Sequence, residues 1–134
     1  KMISIVHSPD SDDHFFFFAL RKKLIDDEGL SFTFDTAPTD RLNRLALEGE
    51  GDLIAVSVAV LPRISKNYEI LPHGASVGRG YGPVVVATQS RAPLELNGAR
   101  IAVPGLNTTA CKILRRFYPD VVPVEVPIEP FDAE

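Results

Sequence analysis

The chain has 134 residues, 45% of them hydrophobic and 24% charged, with a formal net charge of -4. That is enough apolar material for one domain with a buried core, and it excludes a disordered or fibrous chain. Lys and Arg are scattered along the sequence, which leaves no electrostatic footprint for nucleic acid, and the longest apolar run, residues 15–20, is too short to span a bilayer.

Residues 2–6 have the β-branched, apolar make-up of a buried strand, and they run into the loop His7-Ser8-Pro9-Asp10-Ser11-Asp12-Asp13. Asp12 and Asp13 suit the start of a helix over 13–24. The apolar surface of Phe15, Phe16, Phe18, Leu20 and Leu24 predicts that this helix is mostly buried. Phe32 and Phe34 alternate with polar neighbours, so residues 31–35 read as a strand with one face on a core. A helix over 40–48 follows, capped by Thr39 or Asp40, with Leu42, Leu45 and Ala46 on one face and Gly49 at its stop. Residues 52–57 form a further apolar strand, and 58–65 a short helix in which Pro62 stands near the first turn or ends it early. Residues 68–71 read as a short strand.

Four glycines between Gly74 and Gly82 mark a loop free to take positive φ, and residues 83–88 then read as a fully buried strand. Residues 89–99 form a polar connection with one helical turn stopped by Gly98. Residues 100–103 form a strand that enters the turn Pro104-Gly105. Asn107, Thr108 and Thr109 stand at the start of a helix over 110–117, whose packing face is Ile113, Leu114 and Phe117. Residues 121–126 form the last strand. This alternation of strands and helices predicts α/β architecture around a largely parallel sheet, with ligands bound beyond the carboxyl ends of the strands.

The turn before residue 110 has two readings. Asn and Thr are ordinary helix caps, while the free N–H groups and dipole of a helix start also favour a carboxylate or phosphate. Other chemistry is poorly supported. His7, Asp10, Asp12, Asp13 and His14 lie close in sequence, but they lack the glycine and distant glutamate of a calcium loop and the histidine spacing of a zinc site, so no metal is expected. No G-x-S-x-G elbow precedes Ser57, and Gly78-x-Gly80-x-Gly82 leads into a strand, so neither a serine hydrolase nor a dinucleotide cofactor is indicated. His73 is a base by type but stands alone in a loop. The single cysteine, Cys111, excludes an internal disulfide, and it reads as a buried small residue in a reducing, cytoplasmic protein.

Five segments then fall in one order and register: S-P-D-S-D-D-H-F-F-F-F-A-L from Ser8, L-N-R-L-A-L-E-G-E from Leu42, A-V-S from Ala55, G-x-G-Y-G-P from Gly78, and I-A-V-P-G-x-x-T-T-A from Ile101. Together they resemble the N-terminal half of the 1,4-dihydroxy-6-naphthoate synthases, which convert cyclic dehypoxanthine futalosine in menaquinone biosynthesis. The resemblance implies a fold similar to type II periplasmic solute-binding proteins, with two α/β lobes around a cleft. Residues 1–88 would be the first lobe, 89–99 the connection, and 100–134 the start of a second lobe, incomplete here. It implies that Ala55, Val56, Ser57, Thr109 and Ala110 touch substrate, with Thr108 and Asn43 nearby; Ser8, in the first strand-end loop, joins these candidates. The helix-start anion reading is favoured by this register.

The resemblance also implies a carbon–carbon lyase step begun by a histidine beyond residue 134, since His7, His14 and His73 do not match it, so the chain is expected to be a fragment. The expected partner is a small-molecule carboxylate, with no cofactor, nucleic acid or membrane, and a homodimer is left open. Two alternatives are a solute-binding protein without chemistry and the sister enzyme chorismate dehydratase.

Overall fold

The computed structural model of the chain describes residues 2–89 and 92–126. Residues 127–134, the end of the expected second lobe, lie outside them. Six-residue β1 (Met2–His7) runs between β2 (Ser31–Thr36) and β3 (Leu53–Ile54) in a parallel sheet of order β2-β1-β3. Ile5 stands opposite Phe34 on one side and Leu53 on the other. Flanked on both edges, β1 supplies two deeply buried positions, with Ile5 and His7 almost inaccessible. β3 is shorter than expected from residues 52–57. It is held by side chains as well as by its ladder, since the Asp52 carboxylate accepts from the N–H and hydroxyl of Ser4 at 3.0 and 2.9 Å.

A second parallel pair, β4 (Arg100–Val103) and β5 (Val122–Glu125), is joined through α4 (Thr109–Phe117). Both sheets are parallel and linked by helices, so the chain is α/β. Each has its own apolar cluster. Ala46, Val60 and Ile64 pack with Ile54, Val56 and Tyr68 beside the first sheet, and Val103, Cys111, Leu114 and Val121 pack with Ile101 and Tyr118 beside the second. Among the described residues no helix is long and apolar enough to cross a membrane.

Helix α2 (Thr39–Glu48) begins one residue earlier than expected. Its cap is Pro38, whose carbonyl accepts from Leu42 N–H, and it ends on Gly49 at φ 79°, a left-handed conformation in which a side chain would be strained. A 3-10 turn (Val58–Val60) leads into α3 (Leu61–Ile64), with Pro62 in the first turn, where its missing N–H costs nothing. The connection from residue 92 carries the expected single turn, Pro93–Leu96, with Gly98 at φ 71°.

Four sequence expectations fail. Helix α1 (Ser11–Arg21) has no buried residue, and Phe15, Phe16 and Phe18 are exposed. Consecutive helical residues lie about 100° apart, so four phenylalanines in a row point in different directions and cannot share one face. It is Phe17 that meets the sheet, stacked on His7 with ring centroids 5.1 Å apart. Residues 68–71 form no strand; Tyr68 instead donates its hydroxyl to the carbonyls of Glu50 and Gly51. Residues 83–88 also form no strand, and Val84 and Val86 are more than four-fifths exposed. Composition gives a strand its preference for burial, but pairing needs a neighbour, and an open gap of about 910 Å³ separates residues 83–87 from β4 and α4. On α4 the inward positions are Cys111 and Leu114, while Ile113 and Phe117 face outward.

Burial pushes the Cys111 thiol above its usual value, with Glu125 adding to the rise and Arg115 opposing it. Burial also raises Tyr68, helped by Asp52 and Glu50. Both groups hold their protons more tightly when folded, so the unfolded chain binds fewer protons at alkaline pH. Stability is therefore expected to be fully present below the ordinary thiol value of 9.0 and to be lost as pH rises beyond it, then beyond the phenol value of 10.0. Urea midpoints between about pH 8 and about pH 10.5 measure this, and Cys111→Ala should remove the first part of the decline.

Candidate functional site

The carboxyl ends of β3 and β4 meet around one buried side chain, Asn43 of α2. Asn43 is fully inaccessible, and all its polar atoms are used. Its Oδ1 accepts from Ser57 N–H at 2.9 Å, while its Nδ2 donates to Ser57 Oγ at 3.1 Å and to the Asn107 carbonyl at 3.5 Å. One amide thereby fixes the end of β3 and ties it to the turn after β4. A second tie runs from Ala59 N–H to Thr109 Oγ1 at 3.2 Å. Close backbone approach completes the junction: a Cβ on buried Gly105 would lie 2.6 Å from Asp40 Cβ. Arg44 bridges the same seam from outside, within 3.5 Å of Asp40 and 3.3 Å of Glu125, and Glu125 Oε1 accepts Leu106 N–H.

Thr108 caps α4. Its Oγ1 accepts from Cys111 N–H at 3.3 Å and donates to the Gly105 carbonyl at 2.7 Å, so the hydroxyl is spent on the turn itself. Thr109 differs. Its oxygen accepts from Ala59, which leaves the hydroxyl proton free, and the same holds for Ser57, whose oxygen accepts from Asn43. The N–H groups of Thr109 and Ala110 open the helix and have no acceptor within it. The arrangement therefore offers donors, two hydroxyls and two helix-start N–H groups, of the kind a carboxylate accepts from.

The structure thus brings Asn43, Ser57, Thr108, Thr109 and Ala110 together. Ala55 continues the ladder by donating to the Val6 carbonyl at 3.0 Å, and Val56 packs into the first apolar cluster, so both set the position of Ser57. Ser8 is satisfied within its own loop: its hydroxyl donates to Asp10 and its N–H to Asp13. Asp12 accepts from Ser76 Oγ at 2.8 Å, which ties the glycine-rich loop to the start of α1. His7 is buried between Ser8 O, 2.6 Å from Nδ1, and Arg21 Nη2, 3.1 Å from Nε2. A guanidinium only donates, so Nε2 accepts and the ring proton sits on Nδ1. That histidine is committed to the fold.

The sequence reading passed over Ala59 and Arg63, and it gave Asn107 only a place at the helix start. Asn107 Oδ1 accepts from Arg63 Nη1 at 2.9 Å. It also took the cations to be scattered, whereas the fold gathers Arg63, Lys112, Arg115 and Arg116 around one pocket. The available signal was the spacing of the last three, within five residues of one helix.

A family described as menaquinone biosynthesis matches residues 3–134. This chain belongs to the menaquinone biosynthesis family. Curated relatives include the 1,4-dihydroxy-6-naphthoate synthases of Streptomyces coelicolor, 36% identical over 96% of this chain, and Thermus thermophilus, 40% identical over 89%. A crystallised protein from Archaeoglobus fulgidus is 40% identical and superposes on 94% of the chain with a TM-score of 0.87. The chain spans about half the length of these relatives, 46%, 43% and 46% respectively. Three of the five motifs, around Asn43, Ser57 and Thr109, meet at the seam.

Proposed function

We propose that the protein acts as a 1,4-dihydroxy-6-naphthoate synthase, a cytoplasmic carbon–carbon lyase of menaquinone biosynthesis, and that the seam between β3 and β4 holds the substrate carboxylate. The observation that carries this reading is the donor set of Ser57, held by Asn43, and of Thr109, tied to Ala59, with Ala110 beside it, in a chain of that family. Residues 1–88 and 100–134 then contribute to two lobes facing a cleft, joined through residues 89–99. The two separate apolar clusters support that division. No cofactor enters the proposal, and a homodimer is compatible with it.

Incubating the full-length protein with cyclic dehypoxanthine futalosine should yield 1,4-dihydroxy-6-naphthoate. Tight binding without turnover would instead favour a solute-binding protein. His7, committed to Ser8 and Arg21, is not free to serve as a base in either reading. Turnover of chorismate would point to the sister dehydratase. In the active protein, Thr109→Val is expected to raise KM about tenfold or more with little change in kcat, because it removes a donor used in ground-state binding. An unchanged KM would remove Thr109 from the carboxylate site.

A further inference from the structure

Beside the seam lies a second depression of about 490 Å³, lined by Ala59, Val60 and Leu106 together with Asn107 and the cations Arg63, Lys112, Arg115 and Arg116. The volume suits a small molecule. Its charge is unusual for a chain of net charge -4. Four cations share one pocket, and among the described residues no carboxylate forms an ion pair with any of them; the ion pairs present use Arg41 and Arg44. Gathering like charges costs Coulomb energy, so the pocket is matched to an anion.

Two of the cations are already held in place. Arg63 Nη1 donates to Asn107 Oδ1 at 2.9 Å, and Lys112 Nζ to the Ala59 carbonyl at 3.4 Å, leaving their other N–H groups available. Arg115 and Arg116 bring two further guanidinium forks, which match the oxygens of a phosphoryl group. The apolar side chains of Val60 and Leu106 suit an organic body attached to it.

We propose that this pocket binds a small phosphorylated molecule, at a site separate from the carboxylate donors of Ser57 and Thr109. A monocarboxylate would leave most of the local charge uncompensated, whereas a phosphoryl dianion offsets more of it. The two sites meet at Asn107. Its side chain holds Arg63 of the basic pocket, and its backbone carbonyl is held by Asn43 of the seam.

The test is calorimetric titration of the full-length protein with inorganic phosphate, pyrophosphate and citrate at fixed ionic strength. Pyrophosphate is expected to bind, and the Arg115→Ala/Arg116→Ala variant to weaken that binding by about tenfold or more. Both side chains are exposed, so the variant should keep the parent circular dichroism spectrum. Thr109→Val should leave pyrophosphate affinity unchanged. Absence of pyrophosphate binding, equal affinity in the double variant, citrate binding as tight as pyrophosphate, or loss of binding in Thr109→Val would each overturn the assignment. None of these readouts depends on lyase activity, so the proposal stands or falls apart from the function above.

Discussion

Gly105→Ala is expected to destabilise the protein by about 2–3 kcal/mol and to open the seam between the two sheets. The added methyl would lie 2.6 Å from Asp40 Cβ, and Asp40 Cα is only 3.5 Å away. Neither atom is the far end of a flexible side chain, so relief requires moving either the first turn of α2 or the turn after β4. Either shift draws the Asn107 carbonyl away from Asn43. The urea midpoint measures the cost, and a double-mutant cycle isolates its cause. In an Asp40→Gly background the opposing Cβ is gone, so Gly105→Ala should cost much less there than in the parent. Additive effects would show that the strain arises elsewhere.

Asn43→Asp is the second large effect, expected at about 3 kcal/mol near neutral pH. The change keeps the shape and retains an acceptor for Ser57 N–H. It removes the amide donors to Ser57 Oγ and the Asn107 carbonyl, and it places a charge in a site with no solvent access. Ser57 would lose its fixed orientation, so carboxylate binding at the proposed seam site should weaken together with stability. Protonation of the new carboxyl restores one donor. Part of the lost stability should therefore return as the pH is lowered, and a deficit independent of pH would contradict this account.

What the sequence made legible depended on how far apart the interacting residues lie. β1, β2, β4 and the Thr108 cap are local features, written in short runs whose alternation or capping residues need no distant partner. The strand-end rule for parallel sheets pointed to the loops that hold Ser57 and Thr109, because it depends on element order alone, and the family resemblance singled out the two residues. The hydrogen bonds that unite them were out of reach: Asn43 is 14 residues from Ser57 and 64 from the Asn107 carbonyl. The valines at 84–86 misled for the same reason. Their composition describes a strand, and nothing local reveals whether another strand lies alongside. The Phe15 to Phe18 run misled through its strength, since the apolar total overstated what one face of a helix can bury.

Residues 83–88 carry a consequence for behaviour in solution. The segment is uncharged and rich in valine, its side chains are largely exposed, and β4 lies across an open gap with one edge unpaired among the described residues. Backbone donors and acceptors in that state are a template for another strand. Copies of this chain can satisfy them in one another, so self-association should grow with concentration and begin here. A lysine at position 85 would act as a gatekeeper against that growth.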